Sequence, residues 1–599
     1  MKAPSRPLLL LSFLLAVAPS AAAQGDPAVV ERILHEGKEN SRGWDTLTYL
    51  SEEIGTRLTG STRVAIANAW TRDEFHRVGL RNAHLEKWGE IGVGFDRGPS
   101  RARMVEPAER ELEFTARSWS AGTSGPVRGE IVLMPKSVEE LDAIVHELPG
   151  AWVLSESRRR RGSRNESEEE RTAREAQQEL DALLSEALRE NGIAGRIVAS
   201  SNELVLTDSL GGWRELTMDT LPTEVEVQVR RSDYDAMVAE LERGREVVVE
   251  IDLAHHFVEG PIGAYNTVAE IPGTERPEEV VIFSGHLDSW DGPGSDGAQD
   301  NGTGCAVMLE AARILMAAGV QPKRTIRFIL WTGEEQGLLG SRAYVDALSE
   351  EERARISAVF VDDGGTNYQG GVVCVESMKA MLDAAFAPIA DAFPDMPIEN
   401  TVAERMPRGG GSDHAPFNRV GIPGFFTKES GSGGREGKDY DFVHHTQHDT
   451  MRYAVPEYLV QSATCTAVVA YQLAQADTLL PREVRPEERL ERDRGERSIA
   501  ANASPIVGRW IGLIESMNSE FDLRLEVAAD GELTGRFKSS QSDSELFDGK
   551  WDAESKKGTF EYDYPHAGRL PVVFELVGEK LVGRIGERAE FEATRDPGS

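Results

Sequence analysis

The sequence predicts an α/β protein: a mixed, mainly parallel sheet covered by helices, with an inserted domain and a C-terminal all-β domain. Three observations carry this prediction. From Tyr265 to about Leu480, apolar strands alternate with amphipathic helices, the pattern of a sheet covered on both faces. From Glu111 to Ile251, short strands surround one charge-rich segment. Beyond a charged linker, Ile506 to Arg595 holds short strands and turn signals such as Asp530-Gly531, which suggests a meander or a small antiparallel barrel.

Taken in order, residues 1–23 have the layout of a cleavable secretory signal. Basic Lys2 and Arg6 precede an apolar run from Leu8 to Val17, then Ala21-Ala22-Ala23. That run is shorter than the roughly 20 apolar residues of a membrane span, and no later segment is long enough either. Export to the periplasm or the outside is expected, with no membrane span after signal removal. Residues 24–110 are expected to begin the catalytic domain, helical from Ala28 to Gly79 and ending in a strand at "RNAHLEKW". Residues 111–255 form the insert, with strands at "GEIVLM", "GAWVLS", "GRIVAS" and "TEVEVQV". Its helix places Leu180, Leu183, Leu184 and Ala187 on one face. The basic run Arg158–Arg161 is followed at once by acidic residues, so it reads as a solvated loop.

Residues 256–482 carry the catalytic domain. "EEVVIFSGH", "RTIRFILWTGEE" and "ISAVFVDDGG" are its strands, and "TGCAVMLEAARILMAAG" and "GSRAYVDALS" its helices. A helix from about Pro456 to Ala476 closes it. Residues 483–504 are a charged linker, and residues 505–599 a β-rich domain with no reactive cluster, expected to pack or to shape substrate access.

A formal net charge of -35 argues against nucleic acid or an anionic membrane as partner. The three cysteines, Cys305, Cys374 and Cys465, are too few for a disulfide framework and lack metal-ligand spacing. Cys305 and Cys465 fall in apolar helical patterns and are expected to be buried thiols.

Chemistry in an open α/β sheet collects at the carboxyl ends of its strands. One strand ends at His286, two residues before Asp288, and a Gly-rich loop then leads to Asp300 in "DNGTG". The next ends in Glu334-Glu335, and another in Asp362-Asp363. "VHHTQHDT" follows late in the domain with His444, His445 and His448. Imidazoles and carboxylates recurring at one sheet edge suit a pair of zinc ions, which need terminal ligands, a bridging carboxylate and one free carboxylate as base.

"SGHLDSWD", "QDNGTG", "WTGEEQG" and "HHTQHDTM", occurring together in this order, resemble the co-catalytic zinc exopeptidases of the aminopeptidase fold, more closely the carboxypeptidase Q group. The resemblance runs from about Tyr49 to Arg482 and stops at the linker. It implies two Zn(2+) per chain, one held by His286 and Asp363, the other by Glu335 and His445, with Asp300 bridging. Glu334 would be the general base, and Asp288 would orient His286. The family pattern favours Asp363 over Asp362, His445 over His444 and His448, and Asp300 over Asp296. His414, beside Asp413, is expected to have a pocket or structural role. Asp291 should shape its turn and Asp296 face solvent.

The function implied is that of an exported metallopeptidase, hydrolysing short unblocked peptides or dipeptides as an aminopeptidase or a carboxypeptidase Q-like enzyme. The resemblance also implies a protease-associated-like insert and a homodimer. Two alternatives stay open: a non-catalytic binding protein on the same fold, and a single-zinc glutaminyl cyclase.

Overall fold

A computed structural model describes residues 25–156, 168–483 and 505–595, apart from 366, 408, 432, 515–518, 529–530, 540–541, 565–567, 579 and 587–588. The signal segment 1–23, the Arg158–Arg161 run, Asp530 and all of the linker but Glu483 lie outside the described residues. The chain divides into two compact units, one within Met1–Glu483 and one within Val484–Ser599.

The first unit opens with helices α1 (Pro27–Glu39) and α2 (Thr62–Arg77). Each has an oxygen-bearing N-cap: Asp26 accepts from the Ala28 amide and Ser61 from the Val64 amide. Strand β1 (Arg81–Glu106) follows and extends far beyond "RNAHLEKW". Its glycine-rich second half reads poorly as strand, yet it pairs along its length with an equally unusual partner further on. The insert supplies β2 (Val127–Leu133), β3 (Trp152–Ser155), helix α3 (Glu168–Glu190), β4 (Gly195–Ala199) and β5 (Glu226–Val229). On α3 the buried stripe runs through Leu184 and Leu188, while Leu183 is 52% exposed. Leu180, Leu184 and Ala187 of the expected face pack in this cluster, and Leu183 alone turns outward at its margin.

Next come β6 (Val248–Ile271), β7 (Arg276–His286), α4 (Thr303–Ala317), β8 (Arg324–Trp331), α5 (Leu339–Ala347) and β9 (Ile356–Val361). The unit ends with β10 (Tyr368–Cys374), α6 (Glu376–Ala392), α7 (His414–Arg419), β11 (Gly424–Ser430) and α8 (Pro456–Gln475). The central order is β10-β11-β9-β7-β8-β6, continuing through β2-β3-β4-β5. Strands β8, β7, β9 and β11 run parallel, and β6 and β10 are antiparallel to their neighbours in that core. Strand β6 belongs to both halves: Thr267–Ile271 pairs with β8, Val248–Ile251 pairs with β2, and β1 runs beside it throughout. Helices α4 and α8 are buried almost all round, as expected of helices packed in the middle of a layer.

The second unit is a closed barrel of antiparallel strands from Gly508 to Arg595. Closure leaves no free edge. The strand Asp543–Asp552 was not anticipated, because its sequence is mostly polar. Trp510, Phe521, Leu523, Phe537, Phe560, Tyr562 and Phe574 fill the interior. At Gly512 a Cβ would come within 2.4 Å of the Phe521 ring, so the large side chain needs the missing one.

Candidate metal centre

Strands β7, β8 and β9 are parallel neighbours, so their carboxyl ends share one edge. Strand β7 ends on His286 itself. The loop after β8 carries Glu334 and Glu335, and the loop after β9 carries Asp362 and Asp363. The loop after β7 enters the turn Ala298–Gly302, which delivers Asp300 to the mouth of α4. His445 arrives from the segment before α8 in a left-handed backbone conformation, φ 59°. Its carbonyl accepts from the Thr207 N–H at 2.9 Å.

Asp300 lies at the centre. Its Oδ1 is 3.2 Å from His286 Nε2, and that nitrogen is 3.0 Å from Asp363 Oδ1. Its Oδ2 is 3.5 Å from His445 Nε2, which is 3.0 Å from Glu335 Oε2. Two donor groups therefore meet at one carboxylate. His444 stands close as well, its Nε2 3.8 Å from Asp300 Oδ2 and its ring stacked on His445 at 3.6 Å. His448 points elsewhere, 3.3 Å from Glu113 Oε1 and stacked on Phe442. His414 is buried with its ring edge on Phe426 and belongs to neither donor group.

The supporting contacts reach far along the chain. Asp288 is fully buried, and its carboxylate accepts from Thr59 Oγ1 at 2.9 Å and from the Glu334 and Glu335 amides at 3.3 Å each. Its backbone carbonyl, 2.9 Å from His286 Nδ1, sets the ring. One residue thus holds the histidine and the acidic loop in register. Arg57, also fully buried, donates to the Leu287 carbonyl at 2.7 Å and to the Gly297 carbonyl at 2.7 Å, tying the two ends of the loop together. Asp449 accepts from the backbone amides of Gln299 and Asp300. Asp362 accepts from Gln369 Nε2 at 2.6 Å, and burial pushes it up to about 6.

Asp291 does more than shape a turn. It accepts from Ser118 Oγ at 2.6 Å and pairs with buried Arg97 at 3.2 Å. Asp296 does not face solvent as expected. Its Oδ1 is buried without a hydrogen-bond partner, and burial pushes the carboxyl up to about 7 because the loop folds back onto Asp449. Cys305 is buried, donates to the His286 carbonyl at 3.0 Å and is pushed up to about 12 by burial, which makes it an unreactive thiol.

The electrostatics call for cations. Burial drives Glu334 well above the usual carboxylate range, and Asp363, Asp413 and Glu335 add to the effect against the pull of His286. Burial and then Asp300 do the same to Glu335. Burial would lower His286, but Asp363 and Glu334 outweigh it and hold the imidazole up. Asp300 Oδ2 and Glu335 Oε1 are buried with no hydrogen-bond partner. Carboxylates crowded in this way ionise together only beside strong positive charge, and imidazole with carboxylate is a donor set for zinc. The residues fit a metal site.

Residues 266–470 match the family model described as Peptidase family M28. Mouse carboxypeptidase Q is 29% identical over 448 residues, 74% of this chain and 88% of its own length. Aminopeptidase YwaD of Bacillus subtilis is 31% identical over 221 residues, 35% of this chain and 46% of its own. A peptidase M28 precursor from Shewanella amazonensis SB2B, among solved structures, shares the fold. It aligns at TM-score 0.53 and 23% identity, over 76% of this chain and 98% of that one. Fold, site and relatives together define the class, a metallopeptidase and hence a hydrolase. Residues 266–470 carry the family match, and the chain is similar to carboxypeptidase Q and, over a shorter stretch, to aminopeptidases. Among the described residues, no helix is long and apolar enough to cross a membrane.

Proposed function

We propose that the chain is an exported exopeptidase that hydrolyses short unblocked peptides with the help of two zinc ions. The observation that carries this reading is the position of Asp300, one oxygen beside His286 and Asp363, the other beside His445 and Glu335. In this reading His286 and Asp363 would hold one ion and Glu335 and His445 the other, with Asp300 available to both. Bound there, the zinc pair supplies an acidified water and polarises the scissile carbonyl. Glu334, in the same buried pocket, takes the proton of the attacking water and returns it to the leaving amine. Asp288 keeps Glu334 and His286 in register while this happens.

The reading includes removal of residues 1–23 on export and a homodimeric assembly. It also takes residues 111–255 as a cover over the cleft and residues 256–482 as the catalytic domain proper. Free and end-blocked dipeptides, assayed with and without a chelator alongside zinc analysis, test it. Hydrolysis of unblocked dipeptides, two zinc ions per chain and loss of both with chelator are expected. Negligible zinc in active protein, or turnover untouched by chelation, overturns it.

A further inference from the structure

His444 and His445 are adjacent in the chain, and a two-ion site needs only the second of them. Successive residues of an extended chain point to opposite sides. Here His444 stands at φ -54°, ψ 116°, and His445 at the left-handed φ of 59°. Between them the alternation is lost: the two rings stack with centroids 3.6 Å apart and an interplanar angle of 29°. Both Nε2 atoms converge on Asp300 Oδ2, that of His444 at 3.8 Å and that of His445 at 3.5 Å. This oxygen is buried and has no hydrogen-bond partner. The His444 side chain is 43% exposed, lies 4.9 Å from the Tyr440 ring, and makes no hydrogen bond among the described residues.

A metal ion imposes its own spacing on its ligands. Two donors about 2.0 Å from one tetrahedral zinc lie about 3.3 Å from each other. The three contacts in this group, His445 to Glu335 at 3.0 Å and the two imidazoles to Asp300 at 3.5 and 3.8 Å, fall on either side of that value. Ligand atoms of Asp300, His444 and His445 all lie within 4.8 Å of one another, as do those of His286, Asp300 and Asp363. The two groups differ in their donor count. His286, Asp363 and Asp300 offer three donors, the number found where zinc keeps an open position for chemistry. His445, Glu335, Asp300 and His444 offer four, the number that closes a tetrahedral site.

We propose that His444 is a fourth protein donor to the ion held by His445 and Glu335, which makes the two metal positions unequal. The inference rests on the two-ion peptidase reading and adds to it which ion is open to substrate. The position beside His286 and Asp363 stays open, while the other is closed until the exposed His444 swings away. Two imidazoles also give the closed position a preference for zinc or cobalt over manganese, which suits oxygen donors.

The full chain, stripped with a chelator, is titrated with Co(II) and followed by calorimetry and visible absorbance. Two binding steps are expected in the wild type. In His444→Ala one step should weaken by about 100-fold or more with altered absorbance, since even a group behind a ligand is worth about 10–100-fold. The other step should stay as it was. At the weakened step the advantage of Co(II) over Mn(II) should fall by about tenfold, and added imidazole should restore the wild-type absorbance by filling the vacated place. Unchanged affinities and absorbance in His444→Ala overturn the proposal and leave the two-ion reading standing. Equal weakening of both steps makes His444 a general support and overturns it too. A fall in kcat with both affinities intact places His444 on the substrate rather than on the ion, and again overturns it. A single step in the wild type, weakened in His444→Ala, would sustain the donor and overturn the two-ion reading instead.

Discussion

The carboxyl edge of the peptidase sheet and the interior of the C-terminal barrel are both buried, yet they obey opposite rules. The barrel hides Trp510, Phe521, Phe537 and Phe574 with alternating strands, and its glycines make room for rings. The sheet edge hides His286, Asp300, Glu334, Asp363 and Asp288, with orphaned carboxylate oxygens and a histidine at positive φ. Burial stabilises the first region and is costly in the second. The lesson is that the sites where burial works against stability are those arranged for chemistry.

The comparison can be tested by substitutions on each side. The largest effect is expected at its centre. Asp300→Ala should remove both bound metal and activity, and metal analysis with a peptide assay reads both. If metal content is retained, the sharing of Asp300 between two donor groups is wrong. Glu334→Gln should keep the metal while kcat falls about 10³-fold or more, since the lost group moves protons rather than holding a cation. A variant of normal turnover would break the contrast at once.

On the barrel side, Phe537→Ala removes a ring 1% exposed that stacks on Tyr562 at 4.2 Å. It should lower stability by about 3–5 kcal/mol in urea titration, with kcat/KM of the folded enzyme unchanged. A proportional loss of kcat would show that the two regions are less independent than their chemistry implies.

His255 gives a smaller and pH-dependent contrast. It lies between Arg97, 2.7 Å away, and the Ser120 carbonyl, against the Phe95 ring and facing Asp291. Burial first, then Arg97, pushes it down to about 4. Its folded pKa is below the unfolded one, so it contributes stability above about 6.5 that is lost as pH falls through about 4, up to about 3 kcal/mol. His255→Gln should flatten the acid limb of the urea midpoint by that amount. The smallest effect is expected at Thr59→Val, which takes one hydrogen bond from Asp288. A fall in kcat of about tenfold with metal retained is the expected result.

Much of the site could be read from sequence because strand ends in a parallel sheet converge on one edge. His286, Asp300, Glu335, Asp363 and His445 each sit where a strand or loop delivers them. Thr59 and Arg57 could not be read so, although they sit in the recognisable segment "YLSEEIGTRLTGS". Thr59 meets Asp288 across 229 residues, and such a contact leaves no periodicity. The same limit applied to β1: its glycine-rich half becomes strand only because β6 pairs with it. Asp296 was misread because a loop acid looks exposed until the chain folds back over it.

Arg57 has one more consequence, which concerns how this loop can change over generations. By bonding Leu287 at one end and Gly297 at the other, it closes a ring across the loop. The separation of His286 from Asp300 is then held by this guanidinium together with Asp449, which accepts from the Gln299 and Asp300 amides. Insertions at Gly294, the exposed tip of the loop, would lengthen that ring without passing through its bonded ends, and doubling a loop costs only about 0.6 kcal/mol of closure entropy. Length there is free to drift while the donor geometry stays put.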